Sequence, residues 1–532
     1  MTIRSDRRPL RRTAFVLLGI AGVLASAARA QLTDTVLAPN TINAGIHKSL
    51  EEQVGTGRGG VMIPESSLFI IKRDPFRSIR RGRQLFQRKF TRSQGFGTRI
   101  NDGVGNFDQI PALGAGLVDS CAGCHGRPHG AAGFGGNVVT RPDSRDAPHL
   151  FGLGLVEMIG DEITSELRAT RDAARDQARD AGQSVTVDLF GKGINYGRIT
   201  ARPDGSVDTS EVKGVDADLR VRPFFAEGLV FAMREFIVGA FKDEMGIEAV
   251  DPDLLAASGG GSATTPSGLV LNGAIDRVGP PPVADATEDA DGDGVANEAP
   301  TSVVDHIEFY LLNYFKPGRY LQSKVSRQGR AIFDRIGCAE CHIPDLTIVN
   351  DRRVADVETN FDPARDGLNG LFATAEPRLV EASDGSAHAS LKTPAGGSFV
   401  VRDIYADFKR HDLGPAFHER NYDGSTTTEF MTEPLWGVGS SAPYGHDGRS
   451  INLREVIIRH GGEATDSRTA FTRLPAIKQR ALLEFLRTLV LFPPDDTASN
   501  LNPADPTVPG FPQSGHGSIN LGALFNDPTD GE

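Results

Sequence analysis

The sequence predicts a mainly α-helical protein with two similar helical domains, long irregular loops and little β structure. Three observations favour this fold class. The chain has 532 residues, which is more than one hydrophobic core usually supports, so two domains are expected. Several segments place apolar residues at the spacing of a helix face. A Gly-x-x-x-Phe pair, four residues apart and therefore on one helix face, occurs twice, at Gly82/Phe86 and at Gly329/Phe333.

The N-terminus has the three-part layout of a secretory signal peptide over residues 1–30. A basic start precedes an apolar run at residues 14–25, and Ala28-Arg29-Ala30 forms a small-residue cleavage site. The apolar run is too short to span a membrane, and no later stretch has the required length. The pair Arg11-Arg12 fits an ordinary basic segment better than a twin-arginine export signal. The sequence therefore predicts an exported protein, periplasmic or secreted, with no membrane span after signal removal.

Helices are predicted at residues 161–181, 225–245, 303–315, 326–337 and 481–492. The first is a charged, Ala-rich surface helix, whereas 225–245 and 481–492 place apolar residues at helical spacing. The last of them buries a stripe that runs from Leu482 to Leu489, and it ends before Pro493, which cannot continue a helix. The residues that follow, 493–532, are rich in Asn, Asp, Gly and Pro and are expected to form an irregular tail.

The charge balance bears on the class of partner. The chain carries 57 Lys and Arg against 69 Asp and Glu, a formal net charge of −12. Phosphate binding requires a basic patch, so a nucleic-acid partner is not expected. An acidic surface suits a small basic electron-donor protein.

All four cysteines lie in two pairs, each followed directly by a histidine: CAGCH at residues 121–125 and CAECH at residues 338–342. In such a segment both thiols bond to the vinyl groups of a haem, and the adjacent imidazole reaches the iron as proximal ligand. A four-Cys zinc site needs neither histidine, and a thioredoxin-type pair wants a βαβ context that is absent. The sequence therefore predicts two covalent haem c groups in cytochrome-c-like domains. The predicted haem-binding residues are Cys121, Cys124, His125, Cys338, Cys341 and His342.

The predicted domain boundaries follow these two motifs. Residues 31–270 form an N-terminal haem c domain, residues 271–300 form an acidic linker, and residues 301–492 form a C-terminal haem c domain.

Alternating acidic residues in the linker resemble the first half of a calcium loop. Asp289, Asp291 and Asp293 offer oxygen ligands and are followed by turn-forming glycines. Pro300 stands where an EF-hand has its last Glu, so Glu298 has to substitute for it. A calcium site and a solvated acidic linker both remain open.

A histidine near the C-terminus is a candidate for the second axial position of the C-terminal iron. Asn452 caps a predicted helix, with Glu455 as its capping-box partner, and Gly461 begins the Gly pair that ends it. His460 lies on the apolar face at the last turn of this helix. A lone histidine there is usually a hydrogen-bonded core residue, but beside a second haem we favour axial ligation.

These motifs resemble those of a known family. The paired Cys-x-x-Cys-His sites, the PYxHDG element at residues 443–448 and the HGGEA element at residues 460–464 are similar to those of the di-haem oxidoreductase family of c-type cytochromes. That family is related to bacterial di-haem cytochrome c peroxidases and, more distantly, to di-haem rubber oxygenases. The resemblance covers most of residues 75–492 and is most specific in the C-terminal half. In the peroxidases a Met supplies the sixth ligand where this chain has His460, so the resemblance implies a bis-His iron of lower potential.

The resemblance also implies roles for residues around the C-terminal haem. It places Tyr444, His446 and Arg449 beside the haem, with Arg449 suited to neutralise a propionate. His446 is the alternative axial ligand. Trp436 and Tyr444 are candidates either to relay electrons between the haems or to pack against a porphyrin edge. His411 matches a family element whose role is open.

The N-terminal haem has no equally convincing sixth ligand. His129 follows His125 too closely to reach the opposite face, while His149 and Met245 remain alternatives. The resemblance favours an open, five-coordinate iron where a peroxide binds. Peroxide cleavage needs a group that moves a proton between the two oxygens. The candidates for this group are Glu227, Glu235 and Glu244.

Three functions follow from these observations. The favoured one is a peroxidase-like di-haem oxidoreductase, in which electrons from a small cytochrome or cupredoxin enter at the His342/His460 haem and reach a peroxide at the His125 haem. The second is a di-haem electron-transfer cytochrome without catalysis, with both irons closed by protein ligands. The third is a di-haem oxygenase that acts with dioxygen on a larger organic substrate.

Overall fold

A computed structural model describes residues 50–90, 118–126, 132, 135–138, 145–290, 292, 294–296, 298–314, 318–319, 322–361, 371–421, 424–490 and 518–519. Several predicted features lie outside the described residues, namely the signal peptide at 1–30, most of the tail at 493–532, His129, Asp291 and Asp293.

The helices of the described chain are mostly short, and one long helix crosses the N-terminal half. The α-helices are α1 (Leu50–Val54), α2 (Ser67–Arg73), α3 (Pro75–Gln87), α4 (Cys121–His125), α5 (Leu153–Ala181), α6 (Met233–Ala240), α7 (Pro252–Ser258), α8 (Thr301–Asn313), α9 (Lys324–Arg335), α10 (Leu453–Arg459), α11 (Thr465–Arg473) and α12 (Ala476–Arg487). A π-helix, Phe241–Met245, continues α6, and 3-10 turns cover Cys338–Glu340 and Gly462–Ala464.

The strands pair mostly with near neighbours in the chain. They are β1 (Gly135–Val138), β2 (Arg145–Ala147), β3 (Val185–Gly191), β4 (Ile194–Ala201), β5 (Val207–Asp208), β6 (Ser262–Thr264), β7 (Val270–Asn272), β8 (Gly318–Arg319), β9 (Leu346–Ile348), β10 (Ala355–Phe361), β11 (Leu371–Pro377), β12 (Leu379–Ala382), β13 (Leu391–Pro394), β14 (Phe399–Val401), β15 (Arg410–Asp412), β16 (Glu419–Arg420), β17 (Thr426–Thr427), β18 (Glu429–Met431), β19 (Leu489–Val490) and β20 (Ser518–Ile519). The larger sheets join β3, β4 and β5, and β10, β11 and β20, and the rest are two-stranded.

The prediction of a mainly α fold with little β structure is wrong. The structure is 38% helical and 17% strand, with several small antiparallel sheets, so the fold is mixed. One signal for this was present in the sequence: Val185, Val187 and Leu189 alternate with polar residues through β3, which pairs antiparallel with β4. Most of the other strands have two to four residues, which is too short for the alternation to be recognised.

Two predicted helices have different bounds in the structure. The segment 225–245 begins with a turn rather than a helix, because Phe225 has a φ of +60°, and α6 starts only at Met233. At the C-terminus α12 ends at Arg487, so Leu489, expected on the helical stripe, lies in β19 instead. In both places the apolar pattern correctly marks buried chain but not its conformation.

The first Gly-x-x-x-Phe pair marks a close helix crossing. A Cβ on Gly82 of α3 would lie 2.0 Å from the carbonyl oxygen of His306 in α8. Four residues later, Phe86 contacts Tyr310 of α8 edge-on, with ring centroids 6.1 Å apart. Glycine is therefore required by the backbone approach, and the aromatic residue fills the space beside it. The crossing packs α8, expected at the start of the C-terminal domain, against α3.

The second Gly-x-x-x-Phe pair marks a crossing of the same kind between α9 and α12. A Cβ on Gly329 would lie 1.9 Å from the carbonyl oxygen of Ala481, and Phe333 contacts Phe485 edge-on with centroids 5.6 Å apart. These aromatic residues belong to the smaller of two main buried clusters, against which Cys338 packs. The larger cluster runs from Val54 to Trp436 in sequence. The repeated sequence pair therefore corresponds to a repeated packing arrangement.

We expect Gly329→Ala to lower the free energy of unfolding by about 1–3 kcal/mol, because the added methyl group overlaps backbone atoms of α12 that cannot move independently. Urea unfolding followed by circular dichroism measures the change. The matched control is Gly239→Ala in α6, where a Cβ would have no neighbour within 4 Å. That variant should gain about 0.5–1 kcal/mol, and an equal loss in both variants would contradict the packing argument.

Candidate haem-binding sites

The two cysteine pairs lie on short helical turns. CAGCH forms α4, which Ser120 caps by accepting a hydrogen bond from the Gly123 amide at 3.1 Å. CAECH begins in the 3-10 turn Cys338–Glu340. None of the four cysteines forms a disulfide, and all are partly buried. This leaves the thiols available for thioether bonds.

The two proximal histidines share one hydrogen-bond pattern. His125 Nδ1 lies 2.8 Å from the carbonyl oxygen of Pro148, and His342 Nδ1 lies 3.0 Å from that of Tyr405. A carbonyl only accepts, so Nδ1 carries the hydrogen and Nε2 keeps its lone pair in the neutral ring. A second hydrogen bond of this kind is what fixes the tautomer and orientation of a metal-binding histidine.

Both proximal rings are held in the neutral state. Burial lowers the pKa of His125 to about 4, and the hydrogen bond to Pro148 offsets part of that effect. Burial likewise lowers the pKa of His342 to about 4, against the hydrogen bond to Tyr405. Only a neutral imidazole offers a lone pair to iron, so these environments favour ligation over protonation.

His460 repeats the pattern from the opposite loop. It follows α10 directly, and its Nδ1 lies 2.7 Å from the carbonyl oxygen of Val456. Burial lowers its pKa. The charge of His460 also lowers the pKa of His342, although less than burial does. The two rings therefore lie within electrostatic range of each other. Shared ligation of one iron by His342 and His460 stays a prediction, and the electrostatic influence of one ring on the other agrees with it.

The loop that binds His342 has an unusual backbone. Asp403, Tyr405 and Phe408 have φ values of +58°, +54° and +58°, a region that costs an L residue roughly 1 kcal/mol or more. Strain of this size persists only where surrounding contacts fix the loop. The contacts include a hydrogen bond from the Tyr196 hydroxyl to the carbonyl oxygen of Asp407, at 2.7 Å. The result is a rigid carbonyl that orients His342.

The other residues predicted around the C-terminal haem differ in their burial and in their contacts. His446 stacks on Phe430 with centroids 3.7 Å apart, and its Nε2 lies 3.2 Å from a carboxylate oxygen of Glu419. Tyr444 is partly buried against the smaller cluster. Arg449 is 53% exposed at its side chain and lies 3.8 Å from an Asp447 oxygen. The imidazole of His446 thus contacts Phe430 through its ring face and Glu419 through its Nε2 edge.

Trp436 lies between the two sites. Its carbonyl oxygen accepts from His149 Nε2 at 3.2 Å, and a Cβ on Gly152 would lie 2.7 Å from its ring. On the other side, the amide of Leu435 donates to the carbonyl of Ile404 at 3.0 Å. Ile404 directly precedes the residue that binds the second proximal histidine.

A continuous path therefore joins the proximal histidines. His149 follows Pro148, whose carbonyl oxygen binds His125, and its Nε2 hydrogen-bonds the Trp436 carbonyl. The residue before Trp436 is Leu435, which hydrogen-bonds Ile404. His149 itself carries its hydrogen on Nε2, opposite to the proximal rings, because that atom faces a carbonyl. Burial lowers its pKa to about 4.

The three candidate acids of the N-terminal site have different surroundings in the structure. Burial and then the charge of Glu244 raise the pKa of the Cys124 thiol to about 11, so the Glu244 carboxylate lies within electrostatic range of this haem-binding residue. Glu235 instead accepts from the Gly279 amide at 2.7 Å, and burial raises its pKa to about 7. Glu227 lies in the turn at 225–228. Met245 is buried at the end of the π-helix that carries Glu244.

Two residues singled out from the sequence, Cys341 and His411, form a cluster with Asp407 that sequence patterns did not indicate. Cys341, Asp407 and His411 offer ligand atoms within 4.8 Å of one another. His411 Nδ1 also faces Glu463, at 2.9 Å. The sequence contains the family element around His411, but nothing local identifies Asp407 or Glu463 as its partners. The carbonyls of Pro148 and Tyr405 were missed for the same reason.

The acidic loop at residues 289–298 is partly described. Asp289 accepts from the amides of Gly292 and Gly294 at 2.7 and 2.9 Å, the turn expected of a first calcium ligand. Glu298 is buried and accepts from the amide of Glu248. Calcium binding here stays a prediction. Within the described chain, no helix has the length and apolar character needed to cross a membrane.

The donor set fits haem. Four cysteines without disulfides, each pair followed by a histidine with its Nδ1 bound to a carbonyl, are the features of a haem protein with two sites. A family model described as "Di-haem oxidoreductase, putative peroxidase" matches residues 382–489. These residues therefore belong to the di-haem oxidoreductase family, and the resemblance predicted from the sequence is confirmed. The description of this family supports haem as a cofactor and an oxidoreductase activity in coarse terms.

Comparison with individual proteins adds little. Among solved structures, a chain of hydrazine synthase from Kuenenia stuttgartiensis, pressurised with xenon, is similar over 35% of this chain and 55% of that chain, with 15% identity and a TM-score of 0.20. The match spans about half the length of that chain and carries no argument about function. No curated protein matches the chain.

Proposed function

We propose that this chain is an exported di-haem c-type oxidoreductase that reduces a peroxide with electrons from a small donor protein. One observation carries the proposal. Three histidines present a neutral ring whose Nε2 lone pair is available to iron, and they are divided unequally, with His342 and His460 at the C-terminal site and His125 at the N-terminal site. A closed iron suits electron transfer, whereas an open face suits reaction with a small oxidant.

The surroundings of His125 support an open face. The alternative ligand His149 is bound through Nε2 to the Trp436 carbonyl, so this nitrogen is not available to iron. Bound haem would supply the redox chemistry at both sites. The chain itself holds the ligands in their neutral tautomers, separates the two sites by Trp436, and keeps a carboxyl group near the N-terminal site.

Trp436 supports electron passage between the sites. Its indole ring packs directly on Gly152, and its carbonyl oxygen accepts from His149, which follows the partner of His125. The neighbouring Leu435 amide donates to Ile404, which precedes the partner of His342. Packing against a porphyrin edge is compatible with the same position. The exported location and the covalent attachment rest on the sequence motifs alone.

Glu244 is our candidate for the group that moves a proton between the peroxide oxygens. We expect Glu244→Gln to lower the rate of peroxide reduction by about 10²–10⁴-fold, because an amide cannot take up and return a proton. Steady-state oxidation of a reduced small cytochrome by peroxide measures the change. The EPR spectrum of both haems should be unaltered.

The matched control is Asp243→Asn in the same π-helix, whose side chain is 45% exposed. It should retain full activity. Glu235→Gln and Glu227→Gln discriminate the other candidates. If one of these abolishes turnover while Glu244→Gln does not, the assignment to Glu244 is wrong.

The function itself is tested on the exported full-length protein. Pyridine haemochrome analysis should give two haem c groups per chain, and low-temperature EPR of the oxidised and half-reduced protein should separate one closed and one open iron. Two irons that remain low-spin and six-coordinate after half-reduction, with no peroxide-dependent donor oxidation, would identify an electron carrier instead. A stable dioxygen complex in the isolated protein would identify an oxygenase.

A further inference from the structure

His411 lies between two carboxylates in the C-terminal half. It belongs to β15 and is 6% exposed. Its Nε2 lies 2.8 Å from an Asp407 oxygen, and its Nδ1 lies 2.9 Å from a Glu463 oxygen. Ionised carboxylates only accept hydrogen bonds, so both ring nitrogens carry hydrogen and the ring is an imidazolium.

The charge of this ring agrees with its surroundings. Burial alone would lower the pKa of His411, but the hydrogen bonds and charges of Asp407 and Cys341 outweigh burial and raise it to about 11. Conversion of Cys341 to a thioether removes the contribution of that sulfur. The carboxylates of Asp407 and Glu463 remain, and both still require a donor.

One carboxylate belongs to the loop that hydrogen-bonds His342, and the other belongs to the turn that follows His460. Asp407 lies two residues after Tyr405, whose carbonyl binds His342. Glu463 lies three residues after His460, in the 3-10 turn that follows it. The imidazolium therefore connects the loop at residues 403–408 with the turn that follows His460.

Backbone contacts strengthen the second of these connections. The other oxygen of Glu463 accepts from the Asp412 amide at 3.0 Å. The amide of Gly461, next to His460, donates to the carbonyl of Leu413 at 2.8 Å. Strand β15 and the residues after it thus contact the His460 loop through several hydrogen bonds. Among these contacts, His411 supplies the positively charged donor.

The cluster is poorly suited to bind a metal of its own. An imidazolium with hydrogen on both nitrogens has no lone pair for a metal, and a cysteine bonded to haem is a thioether rather than a thiolate. The proximity of Cys341, Asp407 and His411 is therefore explained by a structural role beside the haem.

We infer that His411 is a positioning residue, a fixed imidazolium that ties the loop at residues 403–408, which orients His342, to the turn that follows His460, and so keeps His460 on the iron. The inference rests on the proposed function, because it requires haem bound between His342 and His460. Three residues of the loop at 403–408 have positive φ, and such strain persists only where surrounding contacts fix the backbone, to which the His411–Asp407 bond contributes.

The test compares three variants of the full-length protein with haem attached. In His411→Gln the amide donates to one carboxylate but presents its oxygen to the other, so the tie is broken. Low-temperature EPR should show loss of at least about half of the C-terminal low-spin signal, with matching high-spin signal and cyanide binding. His411→Lys restores a cation that can donate to both carboxylates, and it should recover most of the low-spin signal.

The matched control is His418→Gln. His418 Nε2 lies 2.7 Å from a side-chain oxygen of Asp412, which belongs to β15 like His411. This pair does not connect the loop at residues 403–408 with the turn that follows His460. The control should keep the wild-type spectrum. A full low-spin signal in His411→Gln, or an equal loss in both Gln variants, overturns the inference.

A second variant covers the case in which His411→Gln does not accumulate. Glu463 is 56% exposed at its side chain, so the fold tolerates Glu463→Ala, which removes one arm of the tie. This variant should also gain high-spin signal, and an unchanged spectrum contradicts the inference. If the wild-type protein itself lacks a low-spin haem at Cys338 and Cys341, the proposed function fails first, and that result is separate from any effect of the variants.

Discussion

His460→Ala should convert the C-terminal haem from a six-coordinate low-spin iron to a high-spin iron with an open face. The neutral ring of His460 is fixed by the Val456 carbonyl and lies within electrostatic range of His342. Alanine provides no donor atom, and the fixed loop holds no replacement at the same position. Low-temperature EPR of the oxidised protein should lose the low-spin signal of that haem completely, and cyanide should bind to it.

The control for this variant is His446→Gln, which tests the alternative ligand. The ring of His446 stacks on Phe430 and faces Glu419, so we expect its replacement to leave the C-terminal iron low-spin. If His446→Gln opens the iron and His460→Ala does not, the ligand assignment is reversed. The second variant also separates loss of ligation from general disturbance of the PYxHDG segment.

The parts of the site that sequence predicted are those encoded within a few residues. The spacing of Cys-x-x-Cys-His is a covalent requirement, so it is readable without a structure. The helix before His460 was also predicted: Asn452 caps it by accepting from the Glu455 amide at 2.9 Å, and Glu455 accepts in turn from the amide of Ile451. Local capping rules suffice for such elements.

The parts that sequence missed depend on contacts between distant segments. The partners of the proximal histidines are backbone carbonyls, which carry no residue signature, and Tyr405 reaches its position through positive φ at a residue that rarely adopts it. Several short strands also pair distant segments, such as β8 with β19 and β9 with β14, and with two to four residues each they are not resolved by propensity. The strand content was underestimated for this reason.

A buried charge cluster illustrates the same limit on a larger scale. The guanidinium of Arg234 in α6 donates to Asp251 at 2.9 Å, to Glu308 at 2.8 Å and to Asp305 at 2.9 Å, and all four side chains are 0% exposed. The acceptors come from the cap of α7 and from α8. The cluster therefore joins three helices around the N-terminal site, although each residue alone has the sequence context of a surface charge.

Arg234→Met should lower the free energy of unfolding by about 3–5 kcal/mol, because it leaves several buried carboxylates without their counter-ion. Urea unfolding monitored by circular dichroism measures the loss. The control is Arg179→Met in α5, which removes an exposed ion pair to Asp176 at 2.9 Å and should change stability by less than about 1 kcal/mol. Equal small effects in the two variants would show that the cluster is replaceable by apolar packing.

The pH dependence of the Arg234→Met loss has a definite sign. Burial raises the pKa of Glu308 from 4.5 to about 7 even with Arg234 present, whose charge acts in the opposite direction. Without the guanidinium this pKa rises further above its unfolded value, so the folded state binds a proton that the unfolded state releases. The stability associated with that proton is present at low pH and is lost as the pH rises through the folded pKa. Unfolding curves at about pH 5 and about pH 8 should therefore show the larger difference between variant and wild type at the higher pH, and a difference that shrinks with rising pH would exclude uncompensated carboxylates as its cause.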